Sequence, residues 1–290
     1  MGLRTMRPDL FHLFGFAVPS YGVMVAVGIL AATGLALWLA RHDGVTADFV
    51  LDAVFWSVVS GFLGARVLYL AVTWRETAAD PVGSVFSGGG GVIAGGLLSG
   101  ALAAAVVARR HGVGLARAAD LLAPAVALGQ ACGRIGCHLN GCCYGCVVPG
   151  WLRGVAVRYP RLGGPGAEPT GSYPYLDHLR NGLVPPGDAW SLPVVPVQLL
   201  EAAWCGLLAA GLTLLWWRRL RPGTVAVVYG VTYAGGRFAL EFWRGDADRG
   251  VWMGLSLSQW LALIAVGCLG VVWRRMITVT PARHPPDARA

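Results

Sequence analysis

Seven stretches of about twenty mostly apolar residues, several of them interrupted by an arginine, constrain this chain more than any other feature. They lie at about 21–40, 50–73, 90–108, 120–137, 197–217, 223–243 and 254–273. A bilayer core of about 30 Å takes roughly 20 residues of helix. Of the 290 residues, 56% are hydrophobic and 13% charged. That is about half the charged share of a soluble domain, too little to cover a soluble surface. The expectation is an all-α polytopic membrane protein of about seven transmembrane helices.

The positive charge is all arginine, and the net charge is +8. The arginines gather at the ends of the apolar stretches and accompany no nucleic-acid motif, so lipid headgroups and topology explain them and nucleic acid is not expected as a partner. Arg41, then Arg109 and Arg110, then Arg218, Arg219 and Arg221, then Arg274 and Arg275 follow the first, third, fifth and seventh stretches. The opposite ends carry only Arg75, Arg244 and Arg249, with Arg4 and Arg7 before the first. The positive-inside rule therefore places the N-terminus outside and the C-terminus in the cytoplasm. The segment from about 138 to 196, rich in Gly and Pro, becomes an extracytoplasmic loop or cap between the fourth and fifth spans. Residues 1–276 read as one transmembrane domain and 277–290 as a disordered cytoplasmic tail. The apolar part of the N-terminus is short and broken by His12 and Pro19, unlike a cleaved leader. The chain shows no internal repeat, which counts against a transporter.

Arginine inside a span costs about 2.5–3.5 kcal/mol on insertion scales, so each such residue needs an offset. Arg134 stands in G-R-I-G-C-H-L-N-G-C-C-Y-G, residues 133–145. Gly129 and Gly133 share a helix face that admits a close neighbour, and Gly136, Gly141 and Gly145 suggest an irregular turn with exposed backbone. A guanidinium beside exposed N–H groups suits a phosphate, and an arginine snorkelling to the interface is the alternative. Tyr233, Arg237 and Glu241 are spaced i, i+4, i+8 on one face, with an ion pair available to the last two. Such a pair serves either packing or a site. Together with Arg66 these residues imply a polar interior. Tyr21 reads locally as an interfacial anchor, and Asp52 and Glu201 near span ends receive no role. Five of the seven cysteines crowd into C-x4-C-H-x3-C-C-x2-C, residues 132–146. Zinc, a C-x-x-C redox pair (Cys143, Cys146) and a disulfide are all open on spacing alone.

The sequence around Arg134 resembles the signature of the prolipoprotein diacylglyceryl transferases. Further pieces follow in the family's order: S-Y-G at 20–22, G-A-R-V-L-Y at 64–69, G-G-L-L-S-G at 95–100, V-P-V-Q-L-L-E at 195–201 and R-F-A-L-E-F-W-R at 237–244. The resemblance covers about 20–275. It implies a multi-pass enzyme of the bacterial inner membrane that moves the diacylglyceryl group of phosphatidylglycerol to the thiol of a lipobox cysteine in a preprolipoprotein, releasing glycerol 1-phosphate. It implies neither metal nor diffusible cofactor. Carried over by position, Arg237, Tyr21, Glu241 and Tyr233 become catalytic, and Arg134, Asn140, Gly145 and Arg66 bind substrate. The cysteines then read mostly as signature variants.

The chain departs from the family's pattern at Ala94, where many members carry histidine or tyrosine, at Val195 in place of a histidine, and at Leu200 in place of a tyrosine. A histidine base at those positions is excluded, and His138 and His178 are the histidines nearest the signature. These departures also admit a catalytically altered relative that only binds membrane phospholipid.

Overall fold

A computed structural model of the chain describes residues 6–13, 16–86, 91–162, 170–246 and 250–279. A hairpin of β1 (Asp9–Leu13) and β2 (Phe16–Pro19) leads into α1 (Ser20–Asp43) and α2 (Ala47–Val72). Two short helices follow, α3 (Trp74–Ala79) and α4 (Pro81–Phe86), then α5 (Ile93–Arg110) and α6 (Leu115–Asn140). The connection after α6 holds a two-stranded pair, β3 (Arg161–Leu162) with β4 (Thr170–Gly171), and the short helix α7 (Tyr173–Arg180). The chain continues through α8 (Val197–Trp217), α9 (Thr224–Leu240), a hairpin of β5 (Val251–Trp252) and β6 (Leu255–Ser256), and α10 (Leu257–Val279).

The protein is mostly helical, with a helix at each of the seven apolar stretches. Among the described residues five helices are long and apolar enough to cross a membrane: Ser20–Asp43, Ala47–Val72, Ile93–Arg110, Val197–Trp217 and Leu257–Met276. The other two expected spans fall outside that set for physical reasons. Helix α9 has only 17 residues. Helix α6 is long enough, but Asp120, Gln130, Arg134 and His138 dilute its apolar character. Helix α10 runs on past Arg274 and Arg275 to Val279, and the rest of the expected tail lies outside the described residues. Large apolar side chains such as Phe62, Leu97, Leu102, Leu207 and Ile264 point away from the protein interior, as lipid-facing residues do.

The chain divides into two compact units, residues 33–122 and the remainder. Within the first unit, α2 and α5 meet along small residues at helical spacing. Ser57 Oγ donates to the Gly100 carbonyl at 3.0 Å, and Ser99 Oγ to the Ser60 carbonyl at 2.7 Å. A Cβ on Gly95 would stand 2.3 Å from the Gly64 carbonyl oxygen. Helices in lipid gain little from apolar burial against each other, so close backbone approach and such hydrogen bonds hold the pair. Gly95→Leu is expected to force α2 and α5 apart and destabilise the protein by about 1–3 kcal/mol. Lipid-facing Leu97→Ala serves as a near-neutral control. Thermal unfolding in detergent micelles checks both, and an unchanged midpoint for Gly95→Leu contradicts the packing described.

The second unit contains α8, whose buried positions Gln198, Glu201, Cys205, Leu208, Leu212 and Trp216 recur every three or four residues. Its buried stripe is apolar along most of its length and polar only at its N-terminal end. There it meets the connection that follows α6, whose small core comprises Tyr144, Val157, Tyr159 and Val194. Helix α7 starts on Ser172, whose hydroxyl accepts the Tyr175 N–H, with Pro174 in its first turn. His178 on α7 is buried, and its Nδ1 accepts the Leu192 N–H at 3.1 Å, which requires an unprotonated Nδ1. Burial lowers the His178 pKa below its ordinary value, against a smaller opposing pull from Asp177. A histidine with a depressed folded pKa takes up its proton more readily when unfolded, so its contribution is full at neutral pH and lost as pH falls below about 6.5. The melting temperature is therefore expected to drop between pH 7 and pH 5. His178→Gln should flatten that drop, and a drop of equal size in the variant argues against the assignment.

Candidate functional site

The site is built in the second unit, where α1 and α6 approach along small residues. Tyr21, Met24, Gly28 and Ala32 of α1 recur at three- and four-residue intervals, and Gly129, Cys132 and Gly136 of α6 face them. A Cβ on Gly28 would stand 3.1 Å from the Gly129 carbonyl oxygen, and one on Gly136 3.0 Å from Met24 Cβ. The face expected from Gly129 and Gly133 is thus corrected: Gly129 pairs with Gly136 across a heptad, while nothing packs within 4 Å of a Cβ on Gly133.

Helix α6 also runs further than the glycines suggest. Gly136 lies within it, and the helix ends only at Asn140. Gly141 adopts a left-handed φ of 71°, its N–H donates to the His138 carbonyl at 3.2 Å, and the Cys142 N–H donates to the Cys137 carbonyl at 3.1 Å. These two bonds are the Schellman arrangement, which brings the second residue past the cap against the third from the helix end. Here those residues are Cys142 and Cys137. Cys143 follows with a left-handed φ of 55°, and the sulfurs of Cys137, Cys142 and Cys143 all lie within 4.8 Å of one another. The Cys143 thiol titrates below its ordinary value, mainly because the Cys137 and Cys142 thiols hydrogen-bond its sulfur, with Arg244 and Arg134 adding attraction against the cost of burial. The Asn140 side chain reaches the Cys142 thiol.

Arg134 Nη2 stands 3.0 Å from Glu201 Oε1, with side-chain exposures of 17% and 2%. This is the offset that a buried arginine requires, and it comes from α8 rather than from exposed backbone. Three residues before Glu201 on the same helix, Gln198 Nε2 donates to the Cys142 carbonyl at 2.7 Å and to the Tyr159 hydroxyl at 3.1 Å. Glu201, assigned no role from sequence, is thus the missing partner. Its signal was the i, i+3 spacing with Gln198 at the end of an otherwise apolar stripe.

The second pair forms as its spacing suggests: Arg237 Nη1 lies 2.6 Å from Glu241 Oε2, the two side chains being 12% and 2% exposed. Arg237 Nη2 also meets Ser258 Oγ of α10 at 3.4 Å. Tyr233 stacks on Tyr229 at 5.8 Å between ring centres and lies within electrostatic reach of Glu201, Arg134 and Arg237. Tyr21 is near Arg134 and the three thiols. A third arginine, Arg244, which follows the 3-10 turn Glu241–Trp243, donates Nε to Asp246 Oδ1 at 2.9 Å and is in reach of Cys143.

Backbone pairing holds these pieces together. The Gly145 N–H donates to the Val195 carbonyl at 3.1 Å, the Cys146 N–H to Trp243 at 2.8 Å, and the Gly245 N–H to Tyr144 at 3.1 Å. Gly145 is a place of close crossing: a Cβ there would meet the Val195 carbonyl oxygen at 2.3 Å. Val195 is buried in this pairing. Arg66 belongs to the other unit, where its Nη2 donates to the Ser84 and Val85 carbonyls at 2.5 and 3.2 Å. Asp52, also there, pairs with His111 at 2.8 Å. His138 is buried, with Nδ1 3.1 Å from the Tyr159 hydroxyl.

The described arrangement is a set of guanidinium groups, each matched to a carboxylate, grouped with tyrosines and thiols near the end of α6. The family model for prolipoprotein diacylglyceryl transferase matches residues 8–274. The chain belongs to the prolipoprotein diacylglyceryl transferase family. Its curated relatives include phosphatidylglycerol–prolipoprotein diacylglyceryl transferase 2 of Clostridium perfringens, 33% identical over 265 residues covering 89% of this chain and 91% of the relative. The enzyme of the same name from Clostridium tetani is 32% identical, covering 90% and 94%, and that of Gloeobacter violaceus is 32% identical, covering 94% of each. Within the family signature, then, the chain's own geometry supplies a reason for Glu201 and Gln198 beside Arg134.

Removing one partner of a buried pair leaves the other charge uncompensated, at a cost of about 3–5 kcal/mol. Glu201→Gln is expected to lose stability in that range, and Arg134→Met with Glu201→Leu to lose less than the sum of the single changes. Denaturant unfolding in micelles measures the coupling, and additive losses would show that the two residues do not interact.

Proposed function

We propose that this chain transfers the diacylglyceryl group of phosphatidylglycerol to the lipobox cysteine thiol of a preprolipoprotein, making a thioether and releasing glycerol 1-phosphate. The observation that carries this reading is the grouping of Arg134 with Glu201 and Arg237 with Glu241, joined by Tyr233, in a member of this family. The chemistry explains why two guanidinium groups suit the task. Sulfur attacks the glyceryl carbon that bears the phosphate, the C–O bond breaks, and its electron pair stays on the phosphate oxygen. A phosphodiester with one negative charge becomes a monoester that gains a second. Preorganised guanidinium donors stabilise that growing charge more than the starting lipid. Arginine also offers paired donors that match phosphate oxygens.

In this reading Arg134 and Arg237 hold the phosphate, and Glu201 and Glu241 keep them oriented and lower the cost of burying them. Tyr233 and Tyr21 present hydroxyls to the lipid. Asn140 orients a headgroup or ester oxygen, Gly145 lets the connecting segments cross at the site, and Arg66 contributes to phospholipid binding. Residues 1–276 act as one transferase domain in the bacterial inner membrane, with seven spans counting α6 and α9. The N-terminus and the segment 138–196 face outward, where preproteins emerge, and residues 277–290 form a cytoplasmic tail. The arginine distribution at the span ends supports this orientation.

Purified protein in phosphatidylglycerol vesicles with a lipobox peptide is expected to give a diacylglyceryl adduct, read by mass spectrometry. Arg134→Lys keeps the charge but loses the fork, and is expected to lower the rate by at least about a hundredfold, as removal of a transition-state donor does. Absence of adduct under conditions where a relative works would sink the transfer reading. A fully active Arg134→Lys would sink the phosphate role.

A further inference from the structure

A thiol must lose its proton to attack carbon, and a free thiol is only a few per cent ionised at neutral pH. Ala94 and Val195 carry no group that could take a proton. Of the two histidines nearest the signature, His178 Nδ1 accepts the Leu192 N–H and His138 Nδ1 lies 3.1 Å from the Tyr159 hydroxyl, and both rings are buried away from an incoming peptide. What the site holds instead is sulfur. The Schellman end of α6 presses Cys142 against Cys137, and the left-handed Cys143 keeps its sulfur in the same group, all within 4.8 Å. A non-glycine residue in the left-handed region is costly and persists where the surroundings over-determine it, often in ligand clamps. Cys137 is buried, while Cys142 and Cys143 are partly accessible, so the cluster has one open side.

Resting on the transfer reading, we propose that Cys137, Cys142 and Cys143 hold a zinc ion whose remaining position takes the lipobox thiol and presents it as a thiolate for alkylation. Zinc is four-coordinate and accepts thiolate sulfur, so three protein ligands leave one place for substrate. Three thiolates and a divalent ion sum to one negative charge. The guanidinium groups of Arg134 and Arg244, each paired with a carboxylate of its own, lie within electrostatic reach of Cys143 and attract that charge without cancelling it. The step is an exchange followed by an attack. The thiol enters, zinc-bound hydroxide takes its proton and leaves as water, and the metal-held sulfur forms the S–C bond as the C–O bond to phosphate breaks. The thioether product, a poor zinc ligand, then departs. No oxidant or reductant takes part.

The test uses the full chain, purified in detergent with its thiols reduced, stripped with a chelator and titrated with Co2+ as the probe. One Co2+ per chain is expected, with the visible bands of a tetrahedral thiolate complex, displaced by Zn2+. The bands should change on adding a lipobox peptide but not its Cys→Ser analogue. Cys142→Ser should lose the bands, and the wild-type titration decides the matter even if that variant does not fold. Adduct formation should fall about tenfold or more on chelation, as expected when a thiolate reverts to a mostly neutral thiol, and return with Zn2+. Stripped protein that takes no Co2+ and makes adduct at the full rate overturns the zinc proposal and leaves the transferase reading standing. Co2+ bands indifferent to the peptide overturn the thiol-activating role. Protein whose Co2+ bands change with peptide, yet which makes no adduct once reloaded with Zn2+, overturns the transfer reading instead.

Discussion

The contact between Arg134 and Glu201 is the interaction on which the rest of the site depends. An arginine in an apolar helix is tolerable only with a partner, and Glu201 is almost wholly enclosed and would be as costly alone. The pair joins α6 to α8 at the polar end of the α8 stripe. Gln198 adds a second tie one turn earlier, to the backbone just past the end of α6. The position of the α6 terminus follows from these two contacts, and with it the places of Asn140, the thiols and Gly145.

Some of this was legible in the sequence and some was not, for reasons of distance along the chain. Arg237 and Glu241 are one helical turn apart, so spacing alone was enough to foresee their pairing. Arg134 and Glu201 are separated by a helix end and a long connection, and no periodicity links them. The apolar stretches foretold a helix in each place. The two that fall outside the set of span-like helices, α6 and α9, are those that carry the paired arginines: polar residues dilute α6, and α9 is only 17 residues long. Gly133 was expected to share a packing face with Gly129, and Gly136 to lie in an irregular turn. Only the direction of each side of the helix chose Gly136.

The thiol group shows the same limit from another side. The sequence shows crowding but not which cysteines meet. A helix cap decides it, because the Schellman bonds set Cys142 over Cys137 regardless of what the side chains are. In a Schellman cap that contact is frequently closed by two apolar residues. Here it is closed by sulfur, so a structural joint is also a place with chemistry.

Matching each guanidinium to a carboxylate has an electrical consequence. A lone buried charge would feel the field across an energised membrane, and any shift of its helix along that field would cost or release work. Arg134 with Glu201 and Arg237 with Glu241 are dipoles of no net charge. A membrane voltage can do little work on such neutral pairs, so burying the two arginines this way leaves their helices indifferent to the cell's energy state.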